Sequence, residues 1–195
     1  MDIYGFKGSS DSYKEIETIQ NGKIQSSEFQ IGSKVLSIGG TREYVANDRG
    51  GFIFIGNPEY SELMNSSLLD LQYGISLDDI MKSFAAKMDA PYIVIGADKK
   101  RGELSAIRSD LPLYIAQNDD DFYMSANSLF ISNFSNTYTR IDGFDMITPN
   151  GVCFEAYNLE RKTKTVVKPT PIGVDTIEII SVSYLEKVKM KDLKL

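Results

Sequence analysis

The sequence predicts a layered α+β fold, because strand-like and helix-like segments are segregated along the chain. Short strand-like segments come first, two helical segments follow, and a second run of strands completes the sequence. A doubly wound fold would alternate strand and helix, so this order indicates antiparallel sheets with separate helices. No internal repeat and no low-complexity segment accompanies this order.

The first strands are predicted from apolar runs and glycine turns. A hairpin is predicted near the start of the chain. Its strands are residues 16–19 and the segment from Ile24 onward, and the pair Asn21-Gly22 forms a type I′ turn between them. Residues 29–38 predict one strand that ends at a glycine pair. Residues 51–56 are a continuous apolar run between glycines, which is typical of a strand buried on both faces.

Two helices are predicted next. Pro58 suits the first turn of a helix over residues 59–71. Ser76 suits the N-cap of a helix over residues 77–87, and Asp78 and Asp79 place negative charge at the positive end of its dipole.

The second half of the chain is predicted to be rich in strands. A lysine-rich amphipathic end follows them, and a short helix is predicted at residues 128–134. The predicted strands are residues 91–97, 103–108, 113–117, 122–126, 146–148, 152–157 and 176–182.

Composition excludes several kinds of active site. The 195 residues suffice for one substantial core. Cys153 is the only cysteine and the chain has no histidine, so disulfides, cysteine-rich zinc sites and histidine-based catalytic centres are excluded. We therefore expect no cofactor and no metal. No apolar run approaches the roughly 20 residues of a membrane span, and no signal-peptide pattern is present, so a cytoplasmic protein is expected.

Charge divides the chain into an acidic body and a basic end. Residues 1–160 carry 13 basic and 23 acidic side chains, whereas residues 161–195 carry 8 basic and 4 acidic ones. The acidic body argues against nucleic acid as a ligand. We treat residues 161–195 as a basic C-terminal extension, which either folds back on the body or binds an acidic partner.

Two features could be mistaken for functional sites. Cys153 lies in a predicted strand, so a buried structural thiol is favoured over a displaced nucleophile. The run from Asp119 to Asp121 is favoured as a solvated hairpin turn over a cation site, because it lacks the calcium-loop spacing.

The start of the chain, Met1-Asp2-Ile3-Tyr4-Gly5-Phe6, resembles a family whose members open on Met-Cys-Gly-Ile. Further matching segments, in the family's order, are residues 29–38, 52–63, 77–95, 108–114, 122–130 and 146–155. Together they are similar to the glutaminase domain of class II glutamine amidotransferases, such as asparagine synthetase and glucosamine-6-phosphate synthase. The resemblance implies a four-layer αββα N-terminal-nucleophile hydrolase fold over residues 1–160, with two stacked antiparallel sheets between helix layers.

The residues at the family's functional positions differ from the family's pattern. Asp2 stands where the resemblance implies the nucleophilic cysteine, and Val35 where it implies the arginine that binds the glutamine carboxylate. Gly56-Asn57 is the oxyanion dipeptide in reversed order, and Asn127 replaces the aspartate that holds the substrate's amino group. The resemblance therefore implies a site that has lost its nucleophile and its substrate clamps, and glutaminase activity is expected to be absent.

The favoured interpretation is a catalytically inactive amidotransferase-like protein that acts as a binding or regulatory module. Its partner would be an unidentified protein or a second copy of the chain. One alternative is an amidotransferase or hydrolase that uses other residues or a separate synthetase subunit; another is a structural component, such as part of a virion. We also expect Met1 to be retained before Asp2, and Met1, Val35 and Tyr60 to fill the old pocket, or the pocket to accept only neutral ligands.

Overall fold

The computed structural model describes residues 3–20, 25–42, 44–151 and 153–169, and the backbone of residues 178–181. Its helices are α1 (Ser10–Gln20), α2 (Ser61–Gln72), α3 (Leu77–Lys87) and α4 (Ser128–Ile131), with a 3-10 helix at Pro58–Tyr60. Its strands are β1 (Ile3–Ser9), β2 (Gln25–Ile31), β3 (Lys34–Gly40), β4 (Tyr44–Asn47), β5 (Gly50–Ile55), β6 (Tyr92–Asp98), β7 (Glu103–Ser109), β8 (Leu113–Asn118), β9 (Asp121–Ser125), β10 (Tyr138–Ile141), β11 (Met146–Asn150), β12 (Cys153–Asn158), β13 (Thr163–Lys168) and β14 (Glu178–Ser181).

The strands form two antiparallel sheets. The first sheet has the order β10-β8-β9-β1-β3-β2, and the second has the order β14-β13-β12-β11-β7-β6-β5-β4. An apolar core lies between the sheets, whereas two further clusters bury the inner faces of the helices against the outer faces of the sheets. Helices α1 and α4 cover the first sheet, and α2 and α3 cover the second. The predicted α+β fold with two stacked antiparallel sheets between helix layers is confirmed.

Strand β1 shows how both faces of one strand are buried. Ile3 faces the core between the sheets, whereas Tyr4 and Phe6 point to the helix side of the first sheet. A Cβ on Gly5 would lie 2.6 Å from Cγ2 of Ile95 in the second sheet, so glycine permits close approach of the sheets here. Because side chains alternate along a strand, those of β1 contribute to two different cores.

The predicted hairpin at the start of the chain is wrong, because residues 16–19 belong to helix α1. Ser9 caps this helix, since its Oγ accepts from the amide of Ser12 at 3.2 Å. Tyr13 and Ile16 lie one turn apart and are buried against the first sheet. Packing of this face favours the helix over the β-propensity of its isoleucines. The pair Asn21-Gly22 lies outside the described residues.

The predicted single strand over residues 29–38 is also wrong, because a tight turn divides it into β2 and β3. Gly32 has φ 61°, a left-handed conformation that suits glycine and reverses the chain. Because the apolar pattern continues on both sides of Gly32, the pattern alone does not indicate a turn there. The sequence patterns did not predict strands β1, β4, β10 and β13.

Several local predictions are confirmed by the structure. Helix α3 begins after Ser76, whose Oγ accepts from the amide of Asp79 at 3.1 Å. Strands β5, β6 and β7 and the β11–β12 hairpin lie within a residue or two of their predicted positions. The backbone of β14 pairs with β13 at the edge of the second sheet. Among the described residues, the helices are too short or too polar to cross a membrane.

Candidate functional site

Three strand ends of the first sheet meet where β1 begins. Ile3 pairs with Gly40 at the end of β3, and Tyr4 pairs with Ser125 at the end of β9. The carbonyl oxygen of Ile3 accepts from Oγ of Ser125 at 2.8 Å and from the amide of Ala126 at 3.3 Å. The start of β1 thus adjoins the ends of β3 and β9. Asp2 itself lies outside the described residues.

A small cavity opens at the same edge of the molecule, at the end of β5. It has a volume of about 120 Å³ and is lined by Arg42, Phe54, Ile55, Gly56 and Pro58. Strands β1 and β3 stack on β5, and Arg42 follows the last residue of β3 by two positions. We call this cavity the β5 cleft, and it is the candidate site.

Gly56 and Asn57 lie at the end of β5, as the resemblance implies. A Cβ on Gly56 would be 3.4 Å from Cβ of Tyr92 and thus in ordinary contact, so nothing in the packing requires glycine. The side-chain oxygen of Asn57 accepts from the amide of Glu59 at 3.1 Å and caps the 3-10 helix. Pro58 follows and has no N–H to offer a substrate oxygen. Asn57 therefore has a structural role in this arrangement.

Asn127 lies close to the start of β1, between the end of β9 and the start of α4. Its side-chain oxygen accepts from the amide of Leu129 at 2.9 Å, and its own amide donates to Oγ of Ser125 at 3.0 Å. The neutral amide thus caps a helix of four residues. In this position it offers no negative charge to a substrate amine.

Val35 is not brought to the β5 cleft. It pairs with Gly8, five residues along β1 from Ile3, which corresponds to about 17 Å of extended chain. Its side chain is only 1% exposed and packs with Tyr13 and Ile16 in the cluster under α1. Val35 therefore stabilises the helix layer and cannot fill the cleft.

Tyr60 packs behind the cleft wall and is held in place by a backbone contact. Its hydroxyl accepts from the amide of Asp89 at 2.7 Å, and its ring lies 3.6 Å from the place of a Cβ on Gly56. The hydrogen bond ties the 3-10 helix to the segment after α3.

Arg42 is the cleft residue that sequence reasoning missed. It provides the only charged side chain among the residues that line the cleft, and no carboxylate accompanies it there. The sequence feature that could have identified it is its position two residues beyond the end of a buried strand, directly after Gly40 and Thr41. The motif similarity placed the family's arginine at Val35, seven positions earlier in the sequence.

Cys153 lies far from the β5 cleft along the second sheet, at the start of β12. Its thiol donates to the carbonyl oxygen of Asn150 at 3.4 Å. Partial burial, and then the nearby Glu155 carboxylate, raise the pKa of this thiol above its usual value. A thiol with a raised pKa stays protonated at neutral pH and is a poor nucleophile.

The acidic run around the β8–β9 turn supports helix α1. Asp121 is 9% exposed and accepts from the amide of Ser9 at 2.7 Å and from the hydroxyl of Ser12. Asp119 adopts φ 52° in the turn itself. Within the described part of the chain, no group of three or more acidic, cysteine or histidine side chains could hold a metal ion.

Comparison with known proteins shows the fold. No family model and no curated protein matches the sequence. A solved structure of glutamine phosphoribosylpyrophosphate (PRPP) amidotransferase from B. subtilis, complexed with ADP and GMP, matches with a TM-score of 0.57 and 12% identity. The match covers 81% of this chain and 49% of that one, so the chain spans about half the length of this neighbour. The chain therefore shares the N-terminal-nucleophile hydrolase-like α+β fold of this neighbour.

Proposed function

We propose that this chain is a catalytically inactive, amidotransferase-like protein that works as a binding or regulatory module. The lining of the β5 cleft carries this proposal. Apart from Arg42, the cleft is lined by Phe54, Ile55, Gly56 and Pro58, none of which has a thiol, hydroxyl or carboxyl group. These residues offer no nucleophile and no general base to a bound amide.

Histidine and thiol chemistry are also not on offer elsewhere in the sequence. The chain has no histidine, and its single thiol, that of Cys153, is tied to the β11–β12 turn with a raised pKa. Asp2 precedes β1 in place of a cysteine, and a carboxylate is a poor nucleophile toward an amide.

The dimensions and charge of the cleft also argue against glutamine as a ligand. Its volume of about 120 Å³ is below the roughly 300 Å³ at which small-molecule sites begin. Arg42 could pair with a carboxylate, but no acidic side chain lines the cleft to accept the substrate's ammonium group. Desolvation of that group would therefore remain uncompensated.

The proposed partner is another protein or a second copy of the chain, in the cytoplasm. The end of α2 supports such contacts, because Leu69 and Tyr73 lie one turn apart and are 54% and 85% exposed, with Ile75 nearby at 44%. Apolar side chains grouped in this way are typical of interaction surfaces. The alternatives, a hydrolase that uses other residues or a structural assembly protein, lack a comparable observation.

An ammonia-release assay with glutamine tests the proposal. We expect the rate to equal that of the buffer blank, and the Asp2→Cys variant to be equally inactive because the substrate contacts are also absent. Millimolar glutamine should leave the melting temperature unchanged, since a ligand stabilises only the state that it binds. Turnover that is lost on Arg42→Ala, but kept in the control Cys153→Ser, would refute the proposal and locate catalysis in the β5 cleft.

A further inference from the structure

A second cavity lies between helix α3 and the β12–β13 hairpin. It has a volume of about 600 Å³, within the range of small-molecule sites. We call it the lysine cavity. Its lining residues are Lys82, Ala85, Ala86, Tyr157, Asn158, Leu159, Lys162, Thr163 and Lys164.

The walls of the lysine cavity are mainly apolar. Ala85 and Ala86 on α3 face it with single methyl groups, and Tyr157 and Leu159 on the hairpin side are only half-buried. Two short side chains on the helix leave the space open. An apolar concavity that remains in contact with water is typical of a ligand site.

Three lysines surround these walls, and they differ in how far they are paired. Lys164 is engaged, since its Nζ lies 2.5 Å from Oε1 of Glu155. Lys82 has only a weak partner, because its Nζ is 4.0 Å from Oδ1 of Asp79 and both side chains are exposed. Lys162 has no hydrogen bond or ion pair to any residue that the structure describes.

The backbone at Lys162 is also unusual. Its φ is 53°, in the left-handed region that glycine and asparagine adopt readily and lysine does not. This conformation belongs to the β12–β13 turn, which Asn158 and Thr163 close by pairing. The turn therefore places an unpaired ammonium group beside an apolar wall.

We propose that the lysine cavity binds an anionic amphipathic small molecule. Its apolar body lies against Ala85, Ala86 and Leu159, and its carboxylate or phosphate head lies at Lys162 and Lys82. No acidic side chain is among the lining residues, whereas residues 1–160 as a whole carry 23 acidic and 13 basic side chains. Lys164 and Lys82 lie beside Glu155 and Asp79, so Lys162 carries the unpaired positive charge at the cavity, which favours an anion.

The charge of the chain's own C-terminal part gives no reason to place it in the cavity. Residues 170–195 carry 4 basic and 4 acidic side chains, so they would bring no net negative charge to the lysines. The site is independent of the β5 cleft, since the two cavities share no lining residue. The proposal therefore goes beyond the proposed function and can fail without it.

Isothermal titration calorimetry with ten-carbon probes, kept below their micellar concentrations, tests the site. We expect saturable binding of one decanoate or one decyl phosphate per chain. Decan-1-ol should bind at least about fivefold more weakly, and decylamine should not bind. The stronger of the two anions identifies the head group. Absence of saturable binding by both anions, or equal binding of decylamine, would overturn the proposal.

Three variants locate the binding. Lys162→Gln should weaken decanoate or decyl phosphate binding by about fivefold, because one ammonium group is lost. The control Lys87→Gln lies on the same helix outside the cavity and should bind like the unmodified chain. Ala86→Phe should weaken binding by placing a ring in the cavity. Residue 86 is exposed, so the melting temperature should be unchanged, and its measurement controls for misfolding. Undiminished binding by both Lys162→Gln and Ala86→Phe would also overturn the proposal.

Discussion

Replacing Asp98 with alanine removes the buried carboxylate at the end of β6. The side chain is 0% exposed and holds two arginines, with Nη2 of Arg49 at 3.1 Å and Nη1 of Arg101 at 3.3 Å. It also accepts from the amide of Lys100 at 2.9 Å. Arg101 in turn donates to the carbonyl oxygens of Gly74 and Ile75 in the α2–α3 turn, so the carboxylate connects a sheet turn to the helix layer.

The expected loss follows from what remains after the substitution. Arg49 is 15% exposed, and its Nε already lacks a hydrogen-bond partner among the described residues. Without Asp98, its charge would be largely buried and unpaired, which costs about 3–5 kcal/mol. Asp98→Asn keeps an oxygen for the backbone amides, but its NH2 group then faces the two guanidinium groups and cannot accept from them. A loss close to that of the alanine variant is therefore expected.

Urea unfolding followed by circular dichroism at pH 7 measures these differences. The matched control is Asp142→Ala, which breaks an ion pair to Arg140 at 3.0 Å with both side chains 56% exposed. Such a surface pair contributes at most about 1 kcal/mol. If Asp98→Ala cost no more than this control at an unchanged denaturant slope, the structural importance of the buried network would be refuted.

Two further substitutions test packing and charge in the sheets. Gly8→Ala should destabilise the fold by about 1–3 kcal/mol, since the new Cβ would lie 2.1 Å from Oδ1 of Asp121. Gly56→Ala is the control in the same urea experiment, because its new Cβ would have its nearest neighbour at 3.4 Å. Glu103→Gln should raise the unfolding free energy at pH 7, because burial and then the Asp98 carboxylate raise the pKa of Glu103 above 4.5. A carboxyl group with a raised pKa lowers the unfolding free energy of the unmodified chain as pH rises above 4.5. The unfolding free energies of the variant and the unmodified chain should therefore become equal below that pH. A gain that persists at pH 3 would contradict this explanation.

Local signals in the sequence predicted those elements whose stabilising contacts are close in sequence. Helix α3 was correctly placed because Ser76 and Asp79 form the cap within four residues. Helix α1 was mistaken for a strand, because the groups that stabilise its start include Asp121, more than a hundred residues away. The division of β2 from β3 depended on one glycine, Gly32, inside an otherwise continuous pattern.

The candidate site was predicted only in part for the same reason. Gly56 lies at the end of β5, and Asn127 follows the end of β9 near the start of β1. Val35 was assigned to the site by motif similarity, yet the β1–β3 register places it about 17 Å along the strand, and Arg42 lines the cleft instead. A register is a relation between two strands, so a motif within one strand does not determine it.

The sequence by itself determined the available chemistry and the class of fold. One cysteine and no histidine limit catalysis whatever the fold, because side-chain chemistry is fixed by composition. The tertiary structure alone decided which residues share a cavity. It brings Lys82 of α3 to Lys162 of the β12–β13 turn, 80 positions later, and Arg42 to the end of β5. Such proximity depends on sheet order and helix packing, which arise from contacts between distant segments and leave no local pattern in the sequence.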